Sequence, residues 1–301
     1  MAHWSIVNAP SLSPTQLWVA GARPRTLPAA IAPVLAGTGA AAFADSFVWW
    51  KALLALGVSL ALQIGVNYAN DYSDGIKGTD DDRVGPLRLV GSGLVPARSV
   101  KRAALLFLAI GAALGFALAA TTTWWLLLVG VAAIAAAWTY TGGPSPYGYR
   151  ALGEISVFVF FGLVAVLGTA YVQIEDFTWL ALAAAIGVGA LACAILVVNN
   201  LRDIPTDSVT GKRTLAVVMG DLNTRRFFTV LLLVALGALI WASVFTAWAL
   251  LGLIAVPFAV RARQAVASGS RAMALVPVLR DTGLAELAYA AGLALGLFIG
   301  A

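Results

Sequence analysis

Apolar residues come in long blocks along this chain, broken by shorter stretches of polar and charged positions. Read as membrane-spanning helices, the blocks predict nine, at about 27–44, 51–70, 103–120, 123–141, 152–174, 178–200, 226–243, 245–260 and 283–300. Helices are expected rather than strands, because a helix satisfies its own backbone groups where no water is present. The links alternate in character. Those at 121–123 and 175–177 are tiny, whereas 71–102, 201–225 and 261–282 are long and polar. Residues 14–22 fit a short interfacial helix, with Ser13 and Gln16 suited to its first turn. The expected fold is an all-α membrane protein, nine transmembrane helices around a central cavity with cytoplasmic loops capping a site. Residues 1–26 then form an N-terminal segment and 27–301 one polytopic domain.

Charge assigns the two faces. Of the 19 Lys and Arg residues, only Lys51 follows an odd-numbered block. The others lie in the N-terminal segment, as Arg23 and Arg25, or after even-numbered blocks. The positive-inside bias therefore puts the N-terminus and the long links in the cytoplasm. With 61% hydrophobic and 11% charged residues there is no room for a separate soluble domain. The net charge of +5 reflects topology and anionic headgroups rather than nucleic acid. One cysteine, Cys193, and one histidine, His3, exclude an internal disulfide, a metal–thiolate cluster and a histidine-based relay.

Two acidic clusters close even-numbered blocks on that same face. In the first, Asn67, Asn70, Asp71 and Asp74 lie three or four apart, so a continuing helix puts them on one face. In the second, Asn199, Asp203 and Asp207 step by four, with Pro205 expected to loosen the helix between the carboxylates. Val66-Asn67 followed by Asp71 is echoed by Val198-Asn199 followed by Asp203, a faint sign of two related halves. Carboxylate and amide oxygens suit a hard cation, Mg²⁺ above all. Lys77, Arg83 and Arg88 follow the first cluster, Lys212 and Arg213 the second. A metal pair with a basic collar is what a diphosphate requires.

At these residues the chain resembles the UbiA superfamily of intramembrane prenyltransferases. Asn70-Asp71-x-x-Asp74 is similar to its first Asp-rich motif and Asp203-x-x-x-Asp207 to its second. One departure is Gly78, which stands where the family often carries a further Asp; Asp80 comes two residues later. Finer matches resemble the 1,4-dihydroxy-2-naphthoate polyprenyltransferase branch of menaquinone synthesis. They are Ala22-Arg23-Pro-Arg25-Thr26-Leu27-Pro28, Lys77-Gly78-x-Asp80, Arg83-Val-Gly-Pro86-Leu-Arg88, Tyr140 to Tyr149 with Leu152-Gly153-Glu154, and Asn199-Asn-Leu-Arg202-Asp203 running to Val217.

The resemblance implies a bacterial inner-membrane enzyme joining a polyprenyl diphosphate to 1,4-dihydroxy-2-naphthoate. It implies Mg²⁺ held by Asn70, Asp71, Asp74, Asp203 and Asp207, the four aspartates being the catalytic set. Asn67, Lys77, Arg83, Tyr147, Tyr149, Arg202, Lys212, Arg23 and Arg25 are the expected substrate-binding residues. Arg23 and Arg25 also read as interface anchors, and Glu154 reads equally as a helix-start carboxylate paired with Arg150. Two rivals remain: another aromatic acceptor, or a transporter with carboxylates along its pathway.

Overall fold

The structure, a computed structural model, describes residues 13–78 and 87–301. Ten helices follow one another: α1 (Pro14–Ala22), α2 (Pro28–Phe43), α3 (Trp49–Lys77), α4 (Ala97–Ala120), α5 (Leu126–Thr139), α6 (Gly153–Ile174), α7 (Trp179–Val209), α8 (Leu215–Ser243), α9 (Ala247–Ala267) and α10 (Ala272–Ile299). No strand occurs among the described residues. Seven helices are long and apolar enough to cross a bilayer, and eight if α1 and α2 count as one bent span. The expected nine are not reached on that measure. α2 qualifies only when joined to α1 across a 49° bend, and α5 has 14 residues, about 21 Å of helix against a ~30 Å hydrocarbon core.

Several helices outrun their apolar blocks. α3 has 29 residues and α7 has 31, roughly 45 Å each, so their last turns project beyond the hydrocarbon and carry the polar motifs. α7 continues through Pro205 for one more turn, so the loosening expected there does not end the helix. α8 begins at Leu215, and α10 follows α9 after four residues. The long links expected at 201–225 and 261–282 therefore shrink to 210–214 and 268–271. Hydropathy marks only the lipid-buried part of a helix; polar turns extend it. Within α8 the helix breaks at Gly220 (φ 75°, ψ 168°), a backbone setting that glycine tolerates without strain.

α7 is the central helix, with 78% of its apolar window buried, and its alanine-rich faces meet α2, α6, α8 and α10. In α6 an α-helical start passes into a ten-residue π-helical run, Phe158–Leu167, before α geometry returns. Such widened turns concentrate at functional sites. At the end opposite the acidic motifs, Lys51 pairs with Glu175 at 3.2 Å and the Val48 amide donates to Gln173 at 3.1 Å. At α1, Ser13 and Gln16 form the expected reciprocal cap.

One buried cation holds the α8–α9–α10 corner. Arg225 donates to both carboxylate oxygens of Asp221 and to the Val266 and Ser270 carbonyls, at 2.6–2.9 Å. Arg225→Met is expected to lower stability by about 2 kcal/mol, because two carbonyls lose their donor. Thermal unfolding in detergent measures it; an unchanged midpoint would remove the clamp from the account.

Candidate active site

α3 carries one polar residue per turn on its inner side. Ser59, Gln63, Asn67, Asn70 and Asp74, spaced by three or four, all line a cavity of about 780 Å³. The upper part of this stripe braces the α1–α2 corner. Ser59 donates to the Ala30 carbonyl at 2.7 Å, and Gln63 to Thr26 at 2.9 Å. Asn67 donates to the Ala22 carbonyl and to Thr26, both at 2.9 Å. Those bonds fix the segment bearing Arg23 and Arg25, whose side chains also line the cavity. Arg23 is itself left-handed (φ 54°), closing α1 and turning the chain into α2.

The carboxylates divide into two kinds. Asp74 lies on the cavity wall and accepts the Tyr149 hydroxyl at 2.8 Å. Asp71, fully buried, accepts the backbone amides of Leu89 and Val90 at 2.9 and 3.0 Å. It thereby ties the segment holding Leu87 and Arg88, both cavity-lining, to α3. On α7, Asn199, Asn200 and Arg202 line the cavity. Arg202 grips both oxygens of Asp203 at 2.6 and 2.8 Å and the Asn199 amide oxygen at 2.9 Å. Asp207 faces Lys212 at 3.9 Å. The sequence echo acquires a spatial counterpart: Asn67 and Asn199 sit on the wall, while Asp71 and Asp203 bind neighbouring groups of the chain.

The two helix ends meet through the α5–α6 connection. The Tyr149 ring lies between Lys77 and Lys212, each ammonium 5.2 Å from its centroid, while its hydroxyl holds Asp74. Lys77 also donates to the Thr141 carbonyl at 2.6 Å, and Thr141 donates to Asn70 at 2.8 Å. A bridge between Arg150 and Arg213, with the Ala151 amide on the Arg213 carbonyl at 2.9 Å, stitches this connection to the α7–α8 link. Burial, then the charge of Glu154, with Tyr147, Asp74 and Asp207 also contributing, pushes the Tyr140 hydroxyl above its ordinary range.

Of the other expected site residues, Tyr147 lines the cavity, but its hydroxyl contacts Ala136 and Ser156 on α5 and α6. Lys77 is exposed and is not one of the cavity-lining residues. Arg83, with Asp80, Asp81 and Asp82, lies outside the described residues. Among the described residues no group of three or more His, Cys, Asp or Glu side chains is placed to hold a metal ion. Sequence reading quoted Thr26, Thr141 and Asn200 within motifs without giving them a role, and passed over Gln63 and Arg280, though Gln63 interrupts an apolar helix. From this polar end the cavity runs to an apolar floor of Val34, Leu118, Leu126 and Val172. Among the described residues the charged lining stays at the polar end and none lies on this floor.

Comparison with known proteins agrees with this architecture. The UbiA prenyltransferase family matches residues 30–275. The chain is 59% identical over 284 residues to the 1,4-dihydroxy-2-naphthoate octaprenyltransferase of Mycobacterium tuberculosis, covering 94% of this chain and 97% of that protein. It is 39% identical to the Escherichia coli protein of that name, with 96% and 97% covered. A UbiA homolog from Archaeoglobus fulgidus, solved with GPP and Mg²⁺, superposes with a TM-score of 0.64 at 14% identity, covering 92% of this chain and 99% of that one. This helical chain, with its polar-headed membrane cavity, belongs to the UbiA prenyltransferase family.

Proposed function

We propose that the protein transfers a polyprenyl chain from an isoprenyl diphosphate to 1,4-dihydroxy-2-naphthoate, releasing CO₂ and diphosphate, in menaquinone synthesis. The observation that carries it is the cavity's polarity. Arg23, Arg202, Lys212 and Asp74 surround one end, and aliphatic side chains line the other. An amphiphile with an anionic head and a long hydrocarbon tail matches both. The relatives named above support the aromatic acid as its co-substrate.

Hard oxygen donors suit Mg²⁺; of the expected set Asn70, Asp71, Asp74, Asp203 and Asp207, it is Asn70, Asp74 and Asp207 that would hold it, because both oxygens of Asp71 accept backbone amides and both oxygens of Asp203 accept from Arg202. Bound there, it would offset the charge of the departing diphosphate. Lys212, Arg202 and Arg23 donate to the phosphate oxygens from the cavity wall, and Lys77 and Arg83, which follow the first motif in the sequence, add positive charge. Tyr149 keeps the two ammoniums and Asp74 in register. As the allylic C–O bond breaks, Phe160 and Phe161 of the π-helical run lie among the walls of the chamber. They exclude water that would quench the cation to an alcohol. The ring carbon attacks, and the electron pair of the carboxylate bond restores aromaticity as CO₂ leaves. α5, which lines the cavity yet has no buried residue, is a thin wall between the chamber and lipid. The excess of Lys and Arg in the links at this end supports a cytoplasmic location for the head of the chamber.

Detergent-purified protein given both substrates is expected to form the prenylated product with Mg²⁺. EDTA should stop turnover and excess Mg²⁺ restore it. Absence of product, or equal rates in EDTA, would overturn the reading.

A further inference from the structure

On α7 the cavity lining passes from apolar Ala192, Ile195 and Leu196 to polar Asn199, Asn200 and Arg202, and Asn200 stands at that border. Asn200 of α7 is 5% exposed and sits beyond Ala192, Ile195 and Leu196, which line the same wall. Its Nδ2 donates to Oε1 of Glu154, at the start of α6, at 2.9 Å. Glu154 is 4% exposed, and its Oε2 has no hydrogen-bond partner among the described residues. A carboxylate accepts, so the amide nitrogen is the end that turns toward it. The other end of the amide, Oδ1, accepts nothing from the described residues and is left to the cavity.

The neighbouring Asn199 oxygen is taken up by Arg202, so an Asn200 acceptor left open at the border of an apolar wall is a statement about what it receives. A diphosphate offers only acceptor oxygens under these conditions, and a prenyl tail offers neither donors nor acceptors. A ring hydroxyl is a donor. In 1,4-dihydroxy-2-naphthoate the 1-hydroxyl, beside the carboxylate, can donate within the molecule. The 4-hydroxyl cannot, and needs an acceptor from its surroundings.

We propose that Asn200 determines acceptor specificity by receiving the 4-hydroxyl of the aromatic substrate, and that Glu154 is the positioning residue that fixes its amide. This rests on the proposed function above and names a part of that site. It also accounts for a buried carboxylate that phosphate chemistry does not use. The acid would then be held from two sides, its carboxylate toward Arg23 and its far hydroxyl against α7, with the reacting carbon between them.

The test compares steady-state constants for 1,4-dihydroxy-2-naphthoate and its 4-O-methyl ether. Wild-type enzyme is expected to prefer the free hydroxyl by roughly tenfold or more in kcat/KM, the cost of leaving a buried acceptor unpaired. Asn200→Ala should raise KM for the acid by about tenfold and erase the preference, with KM for the isoprenyl diphosphate within about twofold. Glu154→Ala should weaken the preference, and Glu154→Gln, whose amide oxygen can still accept from Asn200, should restore most of it. A preference that survives in Asn200→Ala, or equal KM changes for both substrates, would reduce the pair to a brace between α6 and α7. Thermal shift of the wild-type protein by the acid and by its ether needs no variant; equal shifts would also overturn the assignment. Wild-type enzyme that turns over neither compound would instead defeat the functional reading itself.

Discussion

Asp74→Asn is expected to cut kcat/KM for prenyl transfer by roughly 10²–10³-fold, while its melting temperature in detergent stays close to wild type. Asn keeps the volume and one acceptor for the Tyr149 hydroxyl, which now bonds the carboxylate at 2.8 Å. What it removes is the negative charge at the point where α3, Tyr149 and the α7 end converge. Lys77 and Lys212 face the Tyr149 ring from 5.2 Å each, so the site loses its balance of charge as well as a hard ligand. Rates measured across a Mg²⁺ titration separate the two effects, because weakened metal affinity is partly recovered at high Mg²⁺. Undiminished activity would remove Asp74 from the chemistry. Asp71 should fail by another route. Its two oxygens hold the Leu89 and Val90 amides, so Asp71→Asn turns an amide N–H₂ toward a backbone donor. Protease resistance around residue 90 should fall along with activity.

Gly296→Ala is the second large effect, and it concerns the fold. A Cβ there would lie 2.0 Å from the Trp248 carbonyl oxygen and 2.6 Å from its carbon. At Gly292 the corresponding distance to the Leu251 oxygen is 2.3 Å. Both obstacles are backbone of α9, which no rotamer change can clear, so α9 and α10 must separate. Overpacking of side chains costs about 1–3 kcal/mol; a backbone clash belongs at or above the upper end. The expected result is a fall of about 5–10 °C in the detergent unfolding midpoint, with loss of expression for Gly296→Val. Gly237 on α8 has open space around its Cβ position, so Gly237→Ala should be neutral or slightly stabilising. Matching midpoints for Gly237→Ala and Gly296→Ala would contradict the close approach.

Much of this was legible in the sequence because a bilayer simplifies the code. Apolar length marks the spans, Lys and Arg mark a face, and carboxylates at helix ends stand out against alanine and leucine. The α3 and α7 motifs were found that way. Direction around a helix was harder. Asn70, Asp71 and Asp74 look like one face by spacing, yet Asp71 turns to the backbone at 89–90, a partner supplied by a distant loop. Pairings between helices leave no local pattern either, so Glu154 with Asn200 and Gln63 with Thr26 needed the fold. Link lengths were overestimated at 201–225 and 261–282, because polar turns continue α7, α8, α9 and α10 past their apolar blocks.

The ladder of amide and hydroxyl groups down α3, fading into aliphatic side chains at the floor, makes the chamber a polarised socket. A guest lodged upside down would bury several phosphate charges in oil, a penalty of many kcal/mol that no contact there could offset. Only one docking sense is thermodynamically open. Under the reaction and orientation proposed above, each new lipid is released with its ring at the polar end of the chamber, on the cytosolic side, and needs no flip across the bilayer.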